Sequence, residues 1–245
     1  MKIETILFDW GGTLAQVVRQ EEALRMGARC AVERLGRPAD QGALDDLLHR
    51  VLTMEADAAA HPELREADLS AVLSGWAQAQ TEQVPQDWLP TAVSAIERAW
   101  IGALDPLPGA LEAVRELRSR GHRMGLVSNC MLPPACCRQE LTRQGFDVLL
   151  DFAVFSSAVG YRKPSPLIYE AALREVFPDG RPADLSRVLF VGDSPMFDVV
   201  APARMGMRTA LVKCQRGIWP AADYEQARPD LKIEAVAELP ARLHQ

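Results

Sequence analysis

Two rhythms of apolar and polar residues run along this chain. Near the N-terminus, Ile6-Leu7-Phe8 is a short unbroken apolar run closed by Asp9 and followed by Gly11-Gly12. A run that short, bounded by glycine, reads as a strand buried on both faces of a parallel sheet, with Asp9 at its carboxyl end. From Gln16 the apolar spacing becomes helical. Helices are expected over 16–35, closed by Gly36 and Pro38, over about 40–60, stopped near His61-Pro62, over 71–83 and over about 87–103. No strand is expected in this stretch. It reads as an all-helical bundle inserted in a loop at the carboxyl edge of the sheet, where insertions build specificity.

From Leu107 strand and helix alternate. A helix opens at Pro108-Gly109 and runs through Leu117; a strand over 122–127 ends in Ser128-Asn129; a helix spans 133–144; a short strand over 152–155 leads to Ser156. A helix over 164–176, a strand over 188–191 ending in Gly192-Asp193, a helix over 197–205, a strand over 209–212 and a last strand at Lys232-Ile233 follow. The alternation predicts an α/β fold, a Rossmann-like doubly wound parallel sheet built from residues 1–15 and 104–245, with residues 16–103 as the inserted helical domain.

Composition narrows the function. With 245 residues, 48% hydrophobic and 24% charged, the chain has enough apolar surface for a full core plus the insert. A net charge of -6 argues against a nucleic-acid binder, which needs a basic face, so an anionic substrate has to be held locally. No apolar run reaches the roughly 18 residues of a membrane span, and no basic region precedes an apolar leader, so a cytoplasmic protein is expected. The five cysteines lack CxxC spacing and read as reduced thiols.

The polar residues at the predicted strand ends share one use. Asp9 precedes Trp10, Gly11 and Gly12, whose backbone amides can approach an anion closely. Ser128 and Asn129 offer neutral donors. Lys163 is a point charge able to neutralise an anion. Asp193 and Asp198 are hard oxygen ligands suited to Mg²⁺. Each residue alone has an ordinary reading as a turn, a helix cap or a solvated side chain. Together, in this order, they form a nucleophile, two donors, a cation and a metal site, a set suited to phosphoryl transfer on a small phosphorylated substrate.

The ordered set Phe8-Asp9-Trp10-Gly11-Gly12-Thr13-Leu14, Ser128-Asn129, Gly160-Tyr161-Arg162-Lys163-Pro164 and Val191-Gly192-Asp193-Ser194 with Asp198 closely resembles the haloacid dehalogenase-like hydrolase superfamily. The helical stretch falls where that family inserts its helical cap. The resemblance implies that Asp9 is the nucleophile of an aspartyl intermediate, that Ser128 and Lys163 hold the phosphoryl group, and that Asp9, the Gly11 carbonyl and Asp193 bind Mg²⁺ with help from Asp198. One position departs from the pattern. Phosphatases of the family carry a second Asp two residues after the nucleophile, as the acid that protonates the leaving group, and Gly11 stands there instead. A Mg²⁺-dependent phosphatase slowed at that step is the leading expectation. A non-catalytic phosphate- and metal-binding relative is a second. A 2-haloacid dehalogenase is disfavoured by the intact Gly192-Asp193 turn. A phosphonate-cleaving enzyme would need a lysine in the insert, and the lysines are Lys2, Lys163, Lys213 and Lys232. Arg25, Arg29, His49, His61, Trp76 and Trp100 are candidates either for the cleft or for the bundle's own faces and core.

Overall fold

The structure, a computed structural model, describes residues 3–18, 20–36, 41–180, 184–214 and 217–243. Ile6, Leu7 and Phe8 have no solvent exposure, because their strand lies in the middle of a sheet covered on both sides. Strand β1 (Thr5–Phe8) pairs in parallel with β4 (Arg123–Ser128) on one side and with β6 (Val188–Gly192) on the other. Adding β5 (Phe152–Phe155), β7 (Arg208–Val212) and β8 (Leu231–Ile233) gives a six-stranded parallel sheet in the order β5-β4-β1-β6-β7-β8. The chain builds outward from β1 on one side, then crosses to build outward on the other. The crevice at that switch, outside the carboxyl ends of β1, β4 and β6, is where open α/β sheets place ligands.

Helices cover both faces. Leu7, Val127 and Phe190 pack with Ile168, Tyr169 and Ala172 of helix α8 (Pro166–Val176), while Ile6, Phe8, Leu126 and Val191 share a core with Val114 and Leu117 of α5 (Ala110–Ser119) and Leu141 of α6 (Pro134–Gln144). The stretch between β1 and β4 holds α1 (Gln20–Arg34), α2 (Gln41–Ala60), α3 (Leu69–Gln80) and α4 (Trp88–Trp100). Leu24, Ala28, Leu73, Trp76, Trp88 and Ile96 form their common interior, with Trp76 stacked on Trp88 at 6.1 Å.

The sequence pattern misplaces several boundaries. Residues 16 and 17, expected to open a helix, belong instead to a strand, β2 (Ala15–Val17), which pairs antiparallel with β3 (Leu104–Pro106). The expectation of no strand in this stretch is thereby corrected: a two-stranded ribbon brackets the four helices. Three-residue strands are too short to show an alternating pattern. Helix α3 starts two residues early because Asp68 caps it, accepting from the Ala71 amide at 3.1 Å, and Thr81, in an extended conformation, ends it before Gln83. The helix expected over 197–205 begins instead as a π-helical turn over Pro195–Val200, opened by Ser194, before α9 (Ala201–Arg204). Short helices α7 (Ser156–Val159), α10 (Ala221–Gln226) and α11 (Leu239–Arg242) complete the chain. Pro38 and Asp40, expected to bound two helices, lie outside the described residues.

Candidate active site

Register carries the polar residues to one place. Phe8 pairs with Leu126 and with Val191, so Asp9, Ser128 and Asp193 all emerge at the same edge. The Asp9 amide still donates to the Val191 carbonyl at 2.9 Å, tying the loop to the sheet. Lys163 reaches in from the loop after α7. Its ammonium donates to Asp9 Oδ1 at 2.7 Å and to Asp198 Oδ1 at 2.8 Å, with the side chain only 3% exposed. Among the described residues, nothing donates to Asp9 Oδ2.

Asn129 turns out to brace this arrangement. Its Oδ1 accepts from the Lys163 amide at 2.7 Å and its Nδ2 donates to the Lys163 carbonyl at 3.2 Å. Both ends of the side chain that was expected to meet an anion are therefore committed to the backbone that presents the ammonium. The Trp10 indole is also engaged away from the reacting edge, donating to Gln144 Oε1 at 3.0 Å. Among the described residues, the Ser128 hydroxyl has only a long contact, 3.4 Å, to the Asn129 carbonyl.

Ligand oxygens of Asp9, Asp193 and Asp198 lie within 4.8 Å of one another, and all three residues are buried. Three carboxylates face one ammonium, which leaves negative charge uncompensated. The titration behaviour follows. Burial pushes the Asp198 carboxyl up to about 7, against the pull of Lys163 and with the charges of Asp9 and Asp193. Burial and then Asp9 also raise Asp193, which the Trp219 indole partly offsets. For Lys163, burial acts downward, yet the charges of Asp198 and Asp9 outweigh it and the ammonium is held above its ordinary value. A hard divalent cation is the natural partner for such a set of oxygens, and the residues fit one.

Two adjacent glycines play different parts. Gly12 has φ +83°, and a Cβ there would lie 2.6 Å from Asp193 Oδ2. A side chain at this position would strain the turn and push the carboxylate away. Gly11 has neither constraint: its φ lies outside the left-handed region, and a Cβ would meet nothing within 4 Å. The missing acid at Gly11 therefore has no steric cause.

Trp219 escapes a pattern-based reading. It sits between β7 and α10, donates from Nε1 to Asp193 Oδ2 at 3.1 Å and packs edge-on against Phe197 at 5.5 Å. A tryptophan in a loop after the carboxyl end of a sheet strand was the available signal. Of the residues proposed from the helical stretch, Trp100 lines the cavity. Arg25 instead pairs with Asp45 and Glu21, His49 and His61 are exposed on the bundle, and Trp76 fills its interior. Arg29 is likewise exposed.

A second connection ties the helices to the sheet domain. Between α2 and α3, the Leu64 carbonyl accepts from the Arg162 amide at 2.8 Å and the Glu66 amide donates to Gly160 at 3.0 Å. Arg162 Nη1 meets Glu66 Oε1 at 2.5 Å, with the two side chains only 9% and 4% exposed. Ser156 donates to the other Glu66 oxygen. All five cysteines are free thiols. Burial pushes Cys136 up to about 12, and the neighbouring Cys130 thiol and burial raise Cys137 further, so both are inert. No helix among the described residues is long and apolar enough to cross a membrane.

Comparison with known proteins agrees with this geometry. Glyceraldehyde 3-phosphate phosphatase of Pyrococcus abyssi is 25% identical over 214 residues, covering 86% of this chain and 82% of that protein. The crystal structure of 2-haloacid dehalogenase from Pseudomonas syringae pv. Tomato DC3000 superposes with a TM-score of 0.70 at 21% identity, covering 99% of this chain and 98% of the other. The HAD-hydrolase YfnB from Bacillus subtilis, solved bound to magnesium, gives 0.63 at 16% identity, with both chains fully covered at 100%. At these identities the two structures bear on fold alone. The sequence profile of the haloacid dehalogenase-like hydrolases matches residues 3–206, most of the chain. With the motif residues gathered at one sheet edge, this chain belongs to the haloacid dehalogenase-like hydrolase family and is a hydrolase.

Proposed function

We propose that the protein is a Mg²⁺-dependent phosphatase acting on a small phosphorylated metabolite through an aspartyl-phosphate on Asp9. The observation that carries the reading is the Lys163 ammonium bridging Asp9 and Asp198 beside Asp193. It fixes Asp9 by one oxygen and leaves Oδ2 as the attacking atom. That oxygen forms a bond to phosphorus while the bond from phosphorus to the leaving oxygen breaks. The leaving oxygen departs as an anion and takes its proton from water, since Gly11 supplies none. A second water then attacks phosphorus, inorganic phosphate leaves, and the Asp9 carboxylate is regenerated.

Lys163 and the Ser128 hydroxyl hold the phosphoryl oxygens, assisted by backbone amides of Trp10 and Gly11, and Asn129 keeps Lys163 in place. Asp9, the Gly11 carbonyl and Asp193 would hold Mg²⁺, with Asp198 in support, and the ion would offset phosphoryl charge. Residues 16–103 act as the cap over this edge, on the core formed by 1–15 and 104–245. Five free cysteines suit a reducing, cytoplasmic setting.

The test is release of inorganic phosphate from a panel of monoesters and acyl phosphates, with Mg²⁺ and with EDTA. Turnover that needs Mg²⁺ and disappears in Asp193→Ala is expected. Metal-independent halide release from a 2-haloacid, without phosphate release, would establish the dehalogenase alternative. Phosphate binding without any turnover would establish the non-catalytic one.

A further inference from the structure

We infer that the site selects leaving groups that are apolar and about the size of one ring, such as aryl phosphates, over polyol, sugar or carboxylated phosphates. This deepens the phosphatase reading and rests on it. The cavity measures about 240 Å³, room for a phosphoryl group and one compact leaving group. Its charged end is Asp9, Lys163, Asp193 and Asp198. The remaining wall is apolar: Val17 from β2, Trp100 from α4, Met131 after β4, Phe197 from the π-helical turn, and Ile218 and Trp219 after β7. Five separate elements thus present hydrophobic side chains to one space.

The charged and amide groups on that wall already have protein partners. Arg162, the only cation lining the cavity besides Lys163 among the described residues, has its charge matched by Glu66. Asn129 is bonded at both ends to the Lys163 backbone, and the Trp219 indole N–H is spent on Asp193. The Ser194 hydroxyl, 2% exposed, accepts from the Phe197 amide and keeps a single proton to donate. A hydroxyl or carboxylate on the leaving group would have to lose water for few partners not already engaged, which sites of this kind disfavour. Gly11 points the same way from the chemistry. A phenolate is a stable leaving anion and needs no acid, whereas an alkoxide does. Wall and missing acid are independent features with one common substrate class.

The experiment uses three substrates of closely matched phenol acidity: 4-methylphenyl, 4-(hydroxymethyl)phenyl and 4-(carboxymethyl)phenyl phosphate, with Mg²⁺. Matching the acidity isolates the wall from the missing acid. Expected is a kcat/KM for the methyl compound roughly 10-fold above the hydroxymethyl and roughly 100-fold above the carboxymethyl one, carried mainly by KM. Trp100→Ala and Ile218→Ala should each raise KM for the methyl compound roughly 5- to 20-fold. Both should leave acetyl phosphate, whose leaving group is small, within about twofold. Ile218 is half-exposed on a loop, so its variant keeps the test sound if Trp100→Ala fails to fold. Equal rates, or a preference for the carboxylate through Arg162, would overturn the inference while leaving the phosphatase reading standing. If no phosphate ester is turned over at all, that reading fails by itself. The inference is then decided by binding of 4-methylphenyl- against 4-(carboxymethyl)phenylphosphonate, followed by tryptophan fluorescence: tighter binding of the methyl compound sustains it, and equal or reversed affinity overturns it.

Discussion

Gly12 and Gly27 are both positions where a Cβ does not fit, in two halves of the molecule that use the tight space differently. At Gly12 the added atom would lie 2.6 Å from the Asp193 carboxylate; at Gly27 on α1 it would lie 2.7 Å from the Ile96 Cα on α4. The first closeness brings charged groups together at the edge of a sheet. The second brings two helix backbones together inside a bundle, beside Ala28, Ala31 and Ala92. At Gly12 the tight contact serves the carboxylate cluster, and at Gly27 it serves packing. Perturbing the one should change turnover, and perturbing the other should change stability.

The largest effect is expected from Asp9→Asn. An amide is no nucleophile, so phosphate release should fall by at least about 10⁴-fold with the melting temperature little changed. Residual turnover near wild type in pure protein would remove the covalent route. Next comes Gly11→Asp. The position has space and an ordinary backbone, so the variant should fold, and it should speed alkyl phosphates by up to about 10²–10⁴-fold while barely changing aryl ones. Wild type hydrolysing both classes equally well would show that another group already supplies the proton.

The glycine pair then tests the contrast directly. Gly27→Ala should cost about 1–3 kcal/mol of stability, at about 2–4 °C of Tm per kcal/mol for a chain this long, with kcat per folded molecule unchanged. Gly12→Ala should lose a similar amount and also lose activity, because the carboxylate it displaces is Asp193. If both variants lose only stability, the contrast between the two glycines is wrong. The smallest effect concerns pH. Asp198 titrates at about 7 in the folded protein and at its ordinary low value when unfolded, so between the two the folded state holds more protons. Stability should then fall as pH rises toward 7 and level off above it. In EDTA, melting curves from pH 5.5 to 8 should show that slope, and Asp198→Asn should flatten it.

What could be read in advance follows the same division. Strand ends were readable because a buried parallel strand is a near-continuous apolar run, and its last residue is marked by an abrupt change to Asp9, Ser128 or Asp193. Pairing register then does the rest, since strands held side by side deliver their ends to one edge. Nothing local announces that Asn129 will grip the Lys163 backbone, that Glu66 will meet Arg162 across 96 residues of chain, or that Trp219 will reach Asp193. These are long-range contacts between loops, and loops have no period. Helical spacing likewise located the four helices of the block, yet Arg25, Arg29, His49, His61 and Trp76 face solvent, neighbouring helices or the interior, because periodicity identifies a face without saying what lies opposite.

The pairing of 64–66 with 160–162 has a mechanical consequence. On the proposed reading of residues 16–103 as a cap, a lid hung only on the β2–β3 ribbon would pivot like a door. Here the far side of the lid is stitched down as well, and the stitch runs through the backbone that ends in Lys163. On that reading, lifting the helices would first tear the Glu66–Arg162 seam, and the pull would be felt one residue from the ammonium bonded to Asp9. Access for a new substrate and readiness to react would then be geared to the same short length of chain.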